Sequence, residues 1–104
     1  MKMKPKDLYE KLDEKKFGLI IGALTFVSQV TQGKIQKKIN KTLMKVKNDK
    51  TLTDEDFSII ISCLKDTAKF MSEQLYPREK DENLKIRANE MVMLMMELSM
   101  MDGK

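Results

Sequence analysis

Apolar side chains recur every three or four residues along most of this sequence, and that spacing is the period of an amphipathic helix. From residue 19 onward one helix face is apolar and carries Leu19, Ala23, Phe26, Val27 and Val30. Gly33 follows and is predicted to be the C-terminal cap of this helix. A strand over residues 19–27 is the competing interpretation, and we reject it because no alternating partner strand occurs elsewhere.

Two further helices are predicted on either side of Asn48-Asp49-Lys50. The first carries a narrow apolar stripe and can bury one edge only, through Ile35, Ile39, Leu43 and Val46. The second begins at Thr53, whose hydroxyl can cap the free amides while three carboxylates follow at the positive end of the helix dipole. Its apolar positions are Phe57, Ile60, Ile61, Leu64, Ala68, Met71 and Leu75.

Pro77 is predicted to end this helix and to hold Tyr76 in an extended conformation. The last helix then starts between Pro77 and Asp81 and runs to about Met101. At the other end of the chain, Pro5 suits the first turn of a helix. This N-terminal helix either stops near residue 16 or continues through residue 18, and the pattern leaves both open.

These elements predict an all-α fold, a compact bundle of four to five helices. The chain has 104 residues, which is the size of one domain, so residues 1–104 are expected to form a single helical domain. With 41% apolar positions, the sequence is too hydrophobic to be disordered.

The last helix carries more apolar surface than one helix contact needs. A seam with the 4-3-4-3 spacing of a helix-on-helix contact consists of Leu84, Ala88, Met91, Met95 and Leu98. Around the other faces lie Val92, Met93, Leu94, Met96, Met100 and Met101. Leaving about four such side chains in water forgoes roughly 6–12 kcal/mol, comparable to the whole stability of a small domain. We therefore expect a partner to cover this helix, through the five seam residues together with Met96 and Met100.

Six of the ten methionines fall between residues 91 and 101. Methionine fills irregular gaps and suits surfaces that adapt to a partner. Two interpretations stay open: a soft core within the bundle, or a face that binds another protein or a second copy. Copper binding through thioethers is disfavoured, because it requires spaced, exposed methionines and usually an extracytoplasmic setting.

Charge is divided unevenly between the two halves of the chain. Residues 1–50 hold 13 lysines against five acidic residues, a net charge of +8, whereas residues 51–104 carry a net charge of −4. The two halves therefore attract each other, either within one chain or between two copies, and the polarity would orient a self-association.

The segment from Lys34 to Lys50 has seven lysines and one acidic residue, and it follows Gln32-Gly33, a predicted tight turn. An apolar helix, a turn and a lysine-rich helix with Gln36 and Asn40 pointing outward form the outline of a helix-turn-helix. The candidate phosphate-binding residues are Lys34, Lys37, Lys38, Lys41 and Lys45. The competing interpretation is a solvated helix face.

Other chemistry is largely excluded. The sequence has no histidine and a single cysteine, Cys63, in an apolar run where it is expected to act as a small hydrophobe. No phosphate-binding glycine loop, metal-ligand spacing or nucleophile motif occurs. We therefore expect no catalysis, no metal, no cofactor and no small-molecule substrate.

The longest apolar run, residues 17–27, is too short to span a bilayer. Gly18 and Gly22 are expected to let another backbone approach closely. Together with the lone cysteine, these features favour a cytoplasmic protein.

The sequence thus predicts a small, non-enzymatic binding or regulatory protein that acts through a methionine-rich helical face and associates with itself. Its methionine- and lysine-rich composition is typical of small phage and mobile-element proteins. The alternative is a nucleic-acid-binding protein of helix-turn-helix type that uses the lysine-rich segment.

Overall fold

Four long helices and one short one form the part of the chain that the computed structural model describes, residues 13–102. In chain order they are α1 (Glu14–Val30), α2 (Gly33–Lys47), α3 (Asp54–Phe70), a π-helical turn (Met71–Leu75), α4 (Tyr76–Glu79) and α5 (Glu82–Asp102). The all-α prediction is confirmed, with four long helices rather than five. The helix predicted from Pro5 onward lies outside the described residues.

The first helix begins at Asp13, whose side chain accepts a hydrogen bond from the amide of Lys16 at 2.8 Å. It continues without interruption through Gly18. Since this helix begins only at Glu14, residues 14–18 belong to the helix that the sequence predicted from residue 19 onward. It ends at Val30, and Gly33 begins α2 with a φ of +73°, a conformation that favours glycine. The prediction that Gly33 caps α1 is therefore wrong, because the two residues before it already form the turn.

Gly18 and Gly22 lie on an exposed part of α1 and do not mediate a close helix contact. A Cβ atom added at either position would meet nothing within 4 Å. The expectation that they admit another backbone is thus wrong for the described residues. A glycine inside a helix costs about 1 kcal/mol relative to alanine, so these two positions lower the stability of α1 with no packing gain in return.

The second helix buries one edge, as its narrow stripe predicted. Ile39, Leu43 and Val46 are in the core. Ile35 is 63% exposed, because it lies in the first turn of α2, ahead of the part that packs against the core. On the same buried edge, Thr42 is 1% exposed and contacts the start of α3.

Asp56 joins α2 to α3. Thr53 and Asp56 form a capping box: the Thr53 hydroxyl accepts from the amide of Asp56, and the Asp56 carboxylate accepts from the amide of Thr53. The same carboxylate accepts hydrogen bonds from the Thr42 hydroxyl at 2.7 Å and from the ammonium group of Lys45 at 2.8 Å. The helix start predicted at Thr53 is confirmed, and it also fixes the contact between the two helices.

The prediction that Pro77 ends α3 with Tyr76 extended is wrong. Tyr76 is helical, with φ of −58° and ψ of −47°, and Pro77 lies in the first turn of α4. Proline removes one amide donor and clashes with the carbonyl four residues earlier, and the π-helical turn just ahead of it changes that spacing. The chain reverses instead at Lys80, which adopts a left-handed conformation with φ of +57°.

The core is built around α3, which contacts α1, α2 and α5, with the most extensive contact to α5. Phe57, Ile60 and Leu64 of α3 are fully buried. The last helix begins at Glu82, one residue beyond the predicted range. No helix found in residues 13–102 has the length and hydropathy that a membrane span requires.

The bonds to Asp56 predict a pH-dependent stability. Burial acts to raise the pKa of the Asp56 carboxyl, but hydrogen bonds from Lys45, Thr53 and Thr42 outweigh burial and lower the pKa below its ordinary value of 3.8. The stabilisation is therefore complete above pH 3.8 and is lost as the pH falls from there through the folded-state pKa. We expect Asp56→Asn to lower the free energy of unfolding by about 2–3 kcal/mol at pH 7.

Urea unfolding of wild type and Asp56→Asn at pH 7 and at pH 3 measures this effect, because the difference between them should shrink on acidification. Asp66→Asn, on the exposed side of α3, is the matched control and should change stability by less than about 0.5 kcal/mol. Equal losses for the two variants at pH 7 would contradict the assigned role of Asp56.

Candidate functional site

The inner face of α5 packs within its own chain. Ala88, Met91 and Leu98 are 4%, 2% and 0% exposed. The seam spacing thus correctly marks a helix contact, but that contact is with the same chain. Assigning these three residues to a partner interface is wrong, because burial against their own chain leaves them no surface for another molecule.

Leu94 was expected on an outer face, and it is 1% exposed. The reason is that α5 packs against α1 as well as α3. Glu90 and Glu97, which lie one turn on either side of Leu94 on the same helix face, form ion pairs with Lys15 and Lys16 of α1 at 2.7 and 2.8 Å. A helix held by two neighbours buries a wider stripe than the 4-3-4-3 seam describes.

The remaining predicted interface residues lie at the edge of the core or outside it. Leu84 and Met95 are half-buried, whereas Met96 and Met100 are exposed. Met96 and Met100 therefore keep the surface that a partner contact requires.

An exposed apolar stripe runs along the outer face of α5. It consists of Ile86, Met93, Met96 and Met100, which are between 54% and 72% exposed and which we call the outer stripe. Val92 lies beside it and is 39% exposed. Ile86 and Met93 were not among the predicted interface residues, although the seven-residue spacing of Ile86, Met93 and Met100 is a signal that the sequence contained.

The lysine-rich face of α2 is partly neutralised. Lys45 bonds the buried Asp56 at 2.8 Å, and Lys38 lies 3.7 Å from Glu55. Lys34, Lys37 and Lys41 are exposed. Their spacing of three and four residues places these three on one face of the helix.

Asn40 is exposed as predicted, whereas Gln36 is half-buried, and both side chains bond to α1. The Gln36 amide donates to the carbonyl oxygen of Ser28 at 2.8 Å, and the Ser28 hydroxyl donates to the side-chain oxygen of Asn40. Both side chains therefore join α2 to α1. These bonds occupy the Gln36 amide nitrogen and the Asn40 side-chain oxygen, so less of the two amide groups is available to read bases.

The positive first half and the negative second half of the sequence form ion pairs with each other within one chain. Four ion pairs are resolved in residues 13–102, and each joins a lysine of the first half to an acidic residue of the second half. Three of them are on the surface and contribute little each. This arrangement leaves fewer opposite charges to orient a pairing between copies.

Cys63 is buried, and burial, with a smaller contribution from Asp66, raises the pKa of its thiol to about 11. The thiol is therefore protonated at neutral pH and contributes to packing. Within residues 13–102, no group of three or more cysteine or acidic side chains is placed to hold a metal ion.

No known protein family, curated protein or solved structure matches this chain. The interpretation of function therefore depends on the surfaces of the chain itself.

Proposed function

We propose that this chain is a small non-enzymatic binding protein that associates with a second copy of itself through the outer stripe of α5. The observation that carries the proposal is the exposure of four large apolar side chains on one face of one helix. Surface hydrophobic residues that occur singly need no explanation, whereas a contiguous patch marks an interaction surface. Methionine supplies three of the four side chains, and its flexibility suits an adaptable contact.

The spacing of the outer stripe supports a helix partner. Ile86, Met93 and Met100 are seven residues apart, and Asn89 and Met96 lie between them, so the face repeats every three and four residues. This is the seam of a helix pair, and a polar residue such as Asn89 at one seam position sets register at some cost in stability. The same helix in a second copy offers the matching seam.

The strength of the association follows from its size. Residues 86–100 span about 21 Å of helix. The four side chains along this length offer less than the roughly 800 Å² per partner of a standard interface. We therefore expect a reversible dimer with a dissociation constant in the micromolar range or weaker. The outer stripe is already exposed in the folded chain, so dimer formation does not require the bundle to open.

The double variant Met93→Glu/Met100→Glu tests this proposal. The two substitutions place like charges in the outer stripe without touching the core, so we expect the variant to stay folded and to be mainly monomeric. Sedimentation equilibrium from about 10 µM to 1 mM should show a monomer–dimer equilibrium for wild type, with at least a tenfold weaker association for the variant.

A matched control distinguishes an effect on the outer stripe from an effect of the added negative charge. Gln29→Glu/Met44→Glu adds two carboxylates at exposed positions of α1 and α2 and should dimerise like wild type. A wild-type chain that is monomeric at 1 mM would refute the proposal. Equal weakening by the two double variants would refute the role of the outer stripe.

A second candidate function, nucleic-acid binding through α2, is supported by the exposed row Lys34, Lys37 and Lys41. Lysine ammonium groups bind phosphates as point charges. Since Gln36 and Asn40 bond to α1, such binding would depend on the phosphate backbone and not on base sequence. We rank it below self-association for that reason.

The triple variant Lys34→Glu/Lys37→Glu/Lys41→Glu tests the second candidate. For three phosphate contacts, the logarithm of the binding constant for a random duplex should fall with the logarithm of salt concentration with a slope of about −3. The triple variant should lose binding at about 50 mM salt, while Lys65→Glu/Lys69→Glu/Lys80→Glu should keep more of it. Failure of wild type to bind at that salt concentration would eliminate this candidate.

A further inference from the structure

A cavity of about 380 Å³ lies between α1, the end of α3 with its π-helical turn, and α5. Its volume falls near the lower end of the roughly 300–1,000 Å³ range of small-molecule pockets. The residues that matter for its chemistry are Gly18, Gly22, Thr67, Phe70, Arg87 and Met91. They come from three helices, so no motif in the sequence could have indicated this cavity.

The two glycines of α1 form part of the cavity wall. A Cβ atom at Gly18 or Gly22 would meet no other atom within 4 Å, so side chains here would project into open space beside the helix. The glycines therefore contribute to the volume of the cavity and not to helix packing. A ligand bound in that volume would explain why α1 has two glycines that otherwise only lower its stability.

Two aromatic rings and the π-helical turn form the rest of the cavity wall. The rings of Phe26 and Phe70 contact each other with centroids 4.9 Å apart, and Met71 and Leu75 of the π-helical turn complete this wall. Single π-helical turns inside helices occur frequently at functional sites. An apolar molecule would find a surface of rings and thioethers here.

One cationic side chain of the cavity wall has no acidic partner among the described residues. Arg87 lines the cavity and forms no ion pair within residues 13–102, whereas Lys15 at the same cavity pairs with Glu90 at 2.7 Å. The Thr67 Oγ1 atom also makes no hydrogen bond to any described residue, but it is buried and has almost no surface open to the cavity.

From this combination we propose that the cavity binds a small amphipathic carboxylate, with an apolar chain of fatty-acid size and an anionic head. The chain lies against the glycine face of α1 and the Phe26–Phe70 pair. The head accepts hydrogen bonds from the Arg87 guanidinium, whose planar fork matches a carboxylate. This inference is independent of the proposed dimer and departs from the sequence-based expectation of no small-molecule ligand.

The direct test is isothermal titration of the full chain with decanoate, and with decanol as a probe of the same chain length without charge. Wild type should bind decanoate with one site per chain and decanol at least tenfold more weakly. Gly22→Leu extends into the cavity from a position where an added Cβ atom meets no neighbour, so the variant should fold normally and bind decanoate at least tenfold more weakly. Ser62→Leu, on an exposed part of α3, should bind like wild type.

Arginine variants test how the protein binds the carboxylate head group of the ligand. Arg87→Gln should weaken decanoate binding about tenfold and leave decanol binding unchanged, while Arg78→Gln, the other arginine of the chain and not part of the cavity, should alter neither.

Three outcomes would overturn the proposal. These are an absence of saturable decanoate binding to folded wild type, equal binding by Gly22→Leu, and equal effects of Arg87→Gln and Arg78→Gln. The Met93→Glu/Met100→Glu variant should bind decanoate like wild type, so failure of the dimer proposal and failure of this one are distinguishable.

Discussion

The contact between α3 and α5 is the constraint on which the rest of the structure depends. It is the most extensive helix contact in residues 13–102, and it decides which side of α5 is removed from water. Once Ala88, Met91, Leu94 and Leu98 are buried, the helical period places Ile86, Met93 and Met100 on the opposite side. Burial of the inner face thus leaves the outer stripe exposed, and the proposed self-association follows from it.

Ion pairs between the two halves of the chain join the helices of this arrangement. Lys15–Glu90 and Lys16–Glu97 join α1 to α5, and Lys45–Asp56 joins α2 to α3. The sequence left open whether the opposite charges of the two halves pair within one chain or between two copies. In the structure these pairs form within one chain. The outer stripe itself contains no charged side chain, and this favours a methionine-lined helix contact over one oriented by opposite charges.

Features that depend on nearby residues could be predicted from the sequence, and features that depend on several helices could not. The cap at Thr53 and the stripe through Ile39, Leu43 and Val46 are local, and the structure confirms them. The prediction that Pro77 ends α3 was wrong because the π-helical turn, which accommodates the proline, has no sequence signature. Leu94 and Gln36 were misplaced because each contacts a second helix whose position the period cannot give, and the cavity required three helices at once.

The central claim is that α5 has a buried face and a face available to a second copy, and methyl NMR of the methionines tests it most directly. With ¹³C-labelled methionine methyl groups, dilution from about 1 mM to 10 µM should shift or sharpen the signals of Met93, Met96 and Met100. The signal of Met91, enclosed in the core, should stay constant. If no methionine signal changes on dilution, or if Met91 changes as much as Met93, the division of α5 into a core face and an association face is contradicted.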